Sequence, residues 1–247
     1  MRLKDLSSVS PAETEKAKTK EATEALKKEL DVLQNLLYAE NKHAVLIILQ
    51  GLDASGKDGA IKKVFGGLNP QGLQVQSFKV PTEKELSHDF LWRIHQHAPQ
   101  RGYIQLFNRS HYEDVLVTRV HGWCDDELAK KRFKAINDFE RLLVEQNNTI
   151  IFKFYLHVSA EEQQKRFAER VEDPAKFWKY NKRDQEEAKL RDQYLEMYED
   201  VFAHCSEVPW VIVPADHNWY KEHIIAKTVV EGLRKVDMKY PKLPEDR

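Results

Sequence analysis

The residues best suited to chemistry lie in one stretch, 51–59, which reads Gly-Leu-Asp-Ala-Ser-Gly-Lys-Asp-Gly. Its glycines allow backbone N–H groups to turn inward around an anion, and Lys57 can reach the outer oxygens of a phosphoryl group. We therefore predict a phosphate-binding loop in which Lys57 is a catalytic cation. The other predicted substrate contacts of this loop are Gly51, Ala54, Ser55, Gly56, Asp58 and Gly59. The alternative is a chance match inside a glycine turn.

Two carboxylates distinguish this loop from the usual pattern. Asp58 stands where nucleotide hydrolases carry a Ser or Thr whose hydroxyl binds Mg²⁺. Asp53 lies where the loop backbone points at phosphate, and an anion beside a polyanion is unfavourable unless a cation separates them. Asp53 is therefore predicted to be a Mg²⁺ ligand or a base for an incoming phosphate. Two alternatives stay open: Asp53 could accept hydrogen bonds from its own backbone, and Asp58 could be a favourable first-turn acid of a helix.

The elements around the loop must hold these groups in place. An apolar run at 44–49 precedes the loop and a helical pattern at 60–65 follows it, which indicates a strand, a tight loop and a helix. Further β-like runs are found at 72–80, 102–107, 149–158 and 210–214, and helical patterns at 82–94, 125–146, 159 onward, 186–202 and 217–236. This alternation predicts an α/β fold with a parallel sheet whose strand ends form one ligand-binding rim.

The N-terminal part of the chain has its own composition. Residues 1–11 are predicted to be a disordered lead-in, and 12–40 to form one long amphipathic helix that packs on the domain or on a second subunit. Because no linker divides the chain, we predict a single domain, 1–247. Its parts are this helix, a core at 43–158, a lid region at 159–206 and a last strand and helix at 207–237, capped by Asp216 and Asn218.

The third predicted strand brings polar groups to the same rim as the loop. It is followed by Asn108, Arg109 and Ser110, and then by Glu113. The planar fork of Arg109 matches phosphate oxygens, so we predict that it clamps the transferring group, with Glu113 as a second catalytic residue and Asn108 and Ser110 as substrate contacts. The alternatives are a salt bridge of Arg109 with Glu113 or Asp114, and plain first-turn acids at both carboxylates.

A second group of cations follows the fourth predicted strand. Arg166 and Arg170 are four residues apart on one helix face, and 172–184 interleaves basic and aromatic residues like a mobile lid over a nucleotide. A solvated loop would have a similar composition. Arg166 and Arg170 are predicted to be catalytic. The remaining predicted substrate contacts are Lys62, Lys79, Arg93, Trp178 and Lys179.

The motifs together resemble the polyphosphate kinase type 2 family. The resemblance rests on 51–59, on Leu-Asn-Pro-Gln-Gly at 68–72, on Phe-Asn-Arg-Ser-His-Tyr-Glu at 107–113 and on the stretch from Lys165 to Lys179. It implies a three-layer P-loop kinase fold, thymidylate-kinase-like, with a helical lid. It also implies reversible phosphoryl transfer between inorganic polyphosphate and a nucleotide (AMP, ADP or ATP), with Mg²⁺ or Mn²⁺.

The resemblance also implies residue roles. Asp53 would orient the acceptor phosphate and metal, Lys57 would hold the donor chain, and Arg109, Arg166 and Arg170 would stabilise the transferring group. Many members carry Asp where this chain has Asn108, so a second metal-binding carboxylate is absent there and Glu113 could replace it. The Asn-Arg-Ser-His-Tyr-Glu version resembles the subgroup that phosphorylates both AMP and ADP.

Composition excludes several partners and leaves two other functions open. With 39 basic and 40 acidic residues the net charge is −1, which predicts no nucleic-acid or membrane partner. Two cysteines and no apolar leader predict a cytoplasmic, reduced protein, and we expect a homo-oligomer. The alternatives are an ATP-dependent nucleoside monophosphate kinase, disfavoured by the missing Ser or Thr after Lys57, and a non-catalytic nucleotide-binding module.

Overall fold

A five-stranded parallel sheet forms the centre of the molecule. The computed structural model describes residues 2–243. The strands are β1 (Ala44–Gln50), β2 (Leu73–Ser77), β3 (Ile104–Asn108), β4 (Thr149–His157) and β5 (Trp210–Pro214). Their order is β2-β3-β1-β4-β5, so β1 is central and every pair is parallel. All five strands were predicted from the sequence, the last with the bounds observed. The β2 strand is shorter than predicted, because the chain leaves the sheet before Pro81.

Ten α-helices accompany the sheet in residues 2–243. They are α1 (Lys16–Glu40), α2 (Lys57–Ala60), α3 (Glu83–Leu86), α4 (Trp92–His95), α5 (Val117–Val120), α6 (Asp126–Asn147), α7 (Ala160–Glu172), α8 (Lys182–Lys189), α9 (Arg191–His204) and α10 (Asn218–Arg234). After α2 the chain continues as a π-helical turn, Ile61–Phe65. Short 3₁₀ helices lie at Leu3–Asp5, Pro70–Gly72, His111–Val115 and Pro174–Lys179.

The helices cover both faces of the sheet, which makes the fold three-layered. Every residue of β1 is buried, as expected for a strand covered on both sides, and its sequence is accordingly almost entirely apolar. One face packs against α1, α2 and α10, and the other against α6, α9 and the 3₁₀ helix His111–Val115. The sequence therefore predicted the three-layer α/β architecture with a parallel sheet correctly.

The long helix α1 packs on this domain rather than standing free. Leu30 and Leu37 are fully buried in the same core as α10, and Arg234 of α10 donates two hydrogen bonds to Glu29 at 2.5 and 2.6 Å. The helix begins four residues later than predicted, at Lys16.

The prediction of a disordered N-terminus is wrong for the described residues. Leu3 is completely buried in the core, and its N–H donates to Glu199 of α9 at 2.7 Å. Ser8 donates to the carboxylate of Asp216 at 2.8 Å, and the N–H of Asp216 donates back to the carbonyl of Ser8 at 3.0 Å. The first residues therefore form a strap across the ends of β4 and β5.

Three predicted helices have different boundaries or caps. The helix predicted at 82–94 is two short helices, α3 and α4, although the capping box of Thr82 and Glu85 is confirmed. The helix predicted at 186–202 is likewise divided between α8 and α9. Asp216 and Asn218 do not cap α10. The carboxylate of Asp216 accepts from Ser159 N–H at 2.8 Å, and the side chain of Asn218 accepts from Lys221 at 2.7 Å.

Candidate active site

The phosphate loop follows β1 and has an unusual backbone conformation. Gly51, Ala54 and Gly56 have φ values of 148°, 60° and 93°, in the region that L side chains rarely adopt. A Cβ at Gly51 would lie 2.8 Å from the carbonyl oxygen of Leu156, so glycine is required there. The N–H groups of Ala54, Gly56 and Lys57 have no backbone acceptor within residues 2–243. They are therefore available to an anion.

Lys57 is folded back on this loop. Its side chain is buried, and Nζ donates to the carbonyls of Gly51 at 2.7 Å and Leu52 at 3.1 Å. Burial and the charge of Arg109 lower the pKa of Lys57 to about 8, against the opposing effect of nearby carboxylates. A phosphoryl group bound in front of the loop would restore a full anionic partner to this ammonium.

Arg109 joins two carboxylates across the rim. One end of its guanidinium binds Asp53, and the other donates to Glu113 at 2.9 Å. The charge of Glu113 is the main cause that raises the pKa of Arg109 above its usual range, despite burial. Arg109 also has a φ of 62°, a strained conformation for a long side chain. The sequence prediction brought these three residues together correctly, and the salt bridge between Arg109 and Glu113 that was the alternative is present.

Asp58, the carboxylate in the usual Ser/Thr position, is held by two partners. It accepts a hydrogen bond from Asn108 at 2.8 Å and lies 3.4 Å from Nζ of Lys179. Burial opposes ionisation of Asp58, but these partners outweigh it and hold its pKa below the usual value. Lys179 ends the 3₁₀ helix Pro174–Lys179, so this contact ties the lid to the first turn of α2.

Arg166 and Arg170 do not point into the rim as free cations. The guanidinium of Arg166 donates to the carbonyls of Ala54 at 2.9 Å, Ala215 at 2.7 Å and Asp216 at 3.0 Å. Arg170 donates to Asp184 at 2.6 Å. In this arrangement Arg166 supports the phosphate loop and Arg170 holds the lid, and their predicted catalytic roles stay predictions.

The other predicted contacts fall into two groups. Ser110 and Arg93 are buried and engaged: Ser110 Oγ caps the 3₁₀ helix by accepting from Tyr112 N–H at 3.2 Å, and Arg93 donates to the carbonyl of Lys79 at 2.8 Å. The second group is exposed to solvent and lies outside the loop sequence: Lys62, Lys79 and Trp178. A Cβ at Gly59 would meet nothing within 4 Å, whereas Ser55 Oγ is buried without a partner in the described structure.

A cavity between the loop and the lid contains residues that the sequence analysis did not single out. It is lined on the loop side by Asp53, Arg109 and Glu113, and on the lid side by Gln163, Glu187, Arg191, Tyr194 and Tyr198. Its volume is about 30 Å³, which is room for one or two water molecules. This space is therefore too small for a whole nucleotide. No spacing in the sequence marked these residues, because they meet through the fold alone.

The site fits a divalent cation held partly by substrate. Mg²⁺ usually binds one or two carboxylates together with phosphate oxygens. Asp53 and Glu113 offer two carboxylates on either side of Arg109. Within residues 2–243 no cluster of three or more His, Cys, Asp or Glu side chains is suited to a metal on its own. A metal here would therefore depend on oxygens supplied by substrate.

This geometry is that of a P-loop kinase, since a phosphate loop follows the central strand and residues of α7, α8 and α9 line a cavity beside it. In the described part of the chain no helix is long and apolar enough to cross a membrane. Residues 13–241 match the family model "Polyphosphate kinase 2 (PPK2)". The chain belongs to this family and is a polyphosphate kinase type 2.

Similar proteins cover almost the whole chain. An "AMP/ADP-polyphosphate phosphotransferase" from Meiothermus ruber is 47% identical over 223 residues, 90% of this chain and 83% of that protein. An "ADP-polyphosphate phosphotransferase" from Rhodopseudomonas palustris is 44% identical over 226 residues, 86% of this chain and 78% of that protein. The crystal structure of polyphosphate kinase 2 from Arthrobacter aurescens TC1 superposes with a TM-score of 0.95 at 40% identity, covering 100% of this chain and 90% of that one.

Proposed function

We propose that this enzyme transfers phosphoryl groups from inorganic polyphosphate to both AMP and ADP, reversibly and with Mg²⁺ (Mn²⁺ is a possible substitute). One observation carries the proposal. Arg109, bound to Asp53 and Glu113, lies between the phosphate loop and the lid cavity. A donor phosphate on the loop and an acceptor phosphate in the cavity would meet at this guanidinium.

Each part of the site has a role in this proposal. The free loop amides and Lys57 would hold the donor chain, because helix N-termini and ammonium groups stabilise phosphate charge. Arg109 would stabilise the transferring group and move between its carboxylate partners and the phosphate oxygens. A Mg²⁺ ion, when bound by Asp53 and substrate, would neutralise charge on the phosphoryl oxygens.

Asp58 supports polyphosphate rather than a nucleoside triphosphate as the donor. In hydrolases this position supplies a hydroxyl to Mg²⁺. Here a carboxylate occupies it and is bound by Asn108 and Lys179. The relative from Meiothermus ruber, called an AMP/ADP-polyphosphate phosphotransferase, supports AMP and ADP as acceptors.

A donor and acceptor assay tests this function directly. Purified enzyme is supplied with AMP or ADP, Mg²⁺, and either polyphosphate or ATP as the sole donor, and the products are resolved by chromatography. We expect ADP and ATP to form from polyphosphate, and no product with EDTA in excess. Product from AMP with ATP but not with polyphosphate would instead support the nucleoside monophosphate kinase.

Two amide substitutions test the carboxylates on Arg109. Asp53→Asn should preserve the fold and most nucleotide affinity, because the amide is isosteric, while turnover collapses for lack of a metal ligand. Glu113→Gln should weaken AMP phosphorylation more than ADP phosphorylation, since the shorter acceptor depends more on positioning of its single phosphate. Measuring both acceptors at saturating Mg²⁺ decides both points. An active Asp53→Asn enzyme, or equal losses for the two acceptors with Glu113→Gln, would contradict the assigned roles.

We also propose a cytoplasmic homo-oligomer. Exposed apolar side chains lie on α1 and on the edge strand β2, namely Val32, Tyr38 and Val75. An uncovered sheet edge with apolar neighbours is a surface that proteins usually cover. Light scattering after size exclusion tests the assembly, and a monomer at micromolar concentration would contradict it. The two cysteines are buried and unpaired, which fits a reducing compartment; cell fractionation tests that location.

A further inference from the structure

Three lysine side chains in the described chain are almost entirely buried: Lys57, Lys153 and Lys221. Buried charges are normally paired, because removing an ion from water is unfavourable without a partner. Lys153 obeys this rule, with Nζ 2.8 Å from a carboxylate oxygen of Glu140. Within residues 2–243, Lys57 and Lys221 make hydrogen bonds but have no carboxylate oxygen within 4 Å. Both of these lysines lie at the phosphate loop.

Lys221 reaches the loop from the first turn of α10. Its Nζ donates to Asn218 Oδ1 at 2.7 Å and lies 3.5 Å from the carbonyl oxygen of Ser55, at the limit of a hydrogen bond. An ammonium group has three N–H donors. Lys221 therefore has one short hydrogen bond, to a neutral amide, and one marginal contact with the loop.

The ammonium also lies directly against Gly56. A Cβ at that position would be 2.2 Å from Lys221 Nζ and 3.4 Å from a guanidinium nitrogen of Arg166. Glycine at this position therefore serves a purpose besides its positive φ, since it lets two cations approach the back of the loop. Such an arrangement is unfavourable without an anion, because like charges repel in a buried site.

The charges around Lys221 are mostly positive in the part of the chain that the structure describes. Burial and the charge of Arg166 lower the pKa of Lys221 to about 7, Lys57 adds to that effect, and Glu222 and Glu162 only partly oppose it. The first turn of α10 adds the positive end of a helix of 17 residues. A phosphate chain bound in front of the loop would supply the missing negative charge.

We propose that Lys221 is a positioning residue of the donor site, which supports the Ser55–Gly56 segment from behind and adds positive charge to the place where polyphosphate binds. The proposal rests on the proposed function for the identity of the donor. Lys221 does not touch the reacting atoms. Its effect reaches the donor through the loop backbone and through its charge in a site that excludes water.

Lys221→Met tests this role, because it keeps the length and apolar stem of the side chain and removes the charge. We expect KM for polyphosphate to rise about tenfold or more and KM for AMP to change less than about twofold. The melting temperature should stay the same or rise, because an unpaired buried charge has been removed. The matched control is Lys227→Met, at an exposed position on the same helix, which should leave both constants unchanged. An unchanged KM for polyphosphate in Lys221→Met would overturn the proposal.

A second variant keeps the test decisive if Lys221→Met does not fold. Asn218→Asp places a carboxylate beside the ammonium and so supplies the missing partner within the protein. We expect a higher melting temperature together with weaker binding of inorganic tripolyphosphate, measured by calorimetry. Lys227→Glu adds negative charge elsewhere on α10 and should weaken that binding much less. Unchanged tripolyphosphate affinity in Asn218→Asp would overturn the role of Lys221.

These measurements separate the inference from the function on which it rests. Wild-type enzyme that makes no product from polyphosphate contradicts the proposed function, whatever Lys221 does. Wild-type enzyme that uses polyphosphate, with a Lys221→Met variant of equal KM, contradicts only the present inference.

Discussion

Substitution of Arg166 tests whether this residue stabilises the transferring phosphoryl group or supports the phosphate loop. The family resemblance implies that it stabilises the transferring phosphoryl group, whereas the structure shows its guanidinium bound to three backbone carbonyls and to Glu162. One of those carbonyls belongs to Ala54 in the loop and the others to Ala215 and Asp216 after β5. We predict that Arg166→Met mainly loosens the loop.

The size of the effect follows from these contacts. The side chain of Arg166 is only 12% exposed, so solvent weakens its hydrogen bonds little. Losing three carbonyl hydrogen bonds at about 1 kcal/mol each lowers the free energy of unfolding by about 3 kcal/mol. For a chain of this length each kcal/mol shifts the melting temperature by about 2–4 °C, so we expect a fall of about 6–12 °C.

Calorimetry and steady-state kinetics on the same preparation distinguish the two roles. If Arg166 supports the loop, the melting temperature falls as calculated and saturating tripolyphosphate recovers much of the loss. The control is Lys165→Met on the same helix, an exposed residue 3.6 Å from Glu162 that should change neither quantity. An unchanged melting temperature together with a loss of kcat of about 1000-fold or more would refute the loop role and restore the catalytic one.

Three further predictions concern the buried lysines at the loop and the N-terminal strap. Lys57→Ala should reduce kcat/KM for polyphosphate by about 1000-fold or more, and turnover within tenfold of wild type would count against the loop assignment. The control is Lys63→Ala, at an exposed position that has no predicted contact with substrate. The pKa values of Lys57 and Lys221, about 8 and about 7, lie below the ordinary lysine value of 10.5. Between these values the unfolded chain binds more protons than the folded protein, so the free energy of unfolding rises as pH rises. Tripolyphosphate favours the charged lysines, so its stabilising effect in a thermal melt should be larger near about pH 6.5 than near about pH 9, and the reverse order would contradict this. Leu3→Ala should lower the free energy of unfolding in urea by about 2–4 kcal/mol, since Leu3 is fully buried; a loss under about 0.5 kcal/mol would return the first residues to a disordered lead-in.

The sequence predicted the sheet and the loop well because their signals are local. An apolar run that breaks at Gly51 indicates a buried strand entering a tight turn, and β1 ends at the residue before it. The run at 210–214, which ends at Pro214, predicted β5 with its observed bounds. Each of these patterns is confined to a few neighbouring residues, so it can be recognised without knowing the rest of the chain.

Contacts between distant segments could not be predicted in this way. Lys221 lies 166 residues from Ser55, and Leu3 lies 196 residues from Glu199. In the sequence Lys221 looks like any lysine on an amphipathic helix. The strap could not be predicted for the same reason. Its anchors are Leu3 and Leu6, which are too few to give a periodicity, and only the packed core shows that these side chains pack there.

The lid was predicted from composition but not in detail. Residues 172–184 have little helical periodicity, yet the segment contains two helix starts. Asp173 accepts from the N–H of Ala175, and Asn181 from that of Arg183. Such side-chain caps outweigh weak periodicity over a single turn. The lid is therefore built from short capped helices, and the contact between its Lys179 and Asp58 is partly exposed.

Arg109 pairs with Asp53 and Glu113, and two interpretations of it were open: a salt bridge and a clamp for the transferring phosphoryl group. The two are compatible. The structure shows the salt bridges, and the clamp is the role proposed for Arg109 with a phosphate bound. Pairing with Asp53 and Glu113 fixes the guanidinium in one position, and it holds the strained backbone of Arg109 at the rim. A phosphate that replaces one carboxylate partner meets a donor already in place, so less ordering is needed in the transition state. The ion pairs are therefore better understood as positioning the clamp than as competing with it.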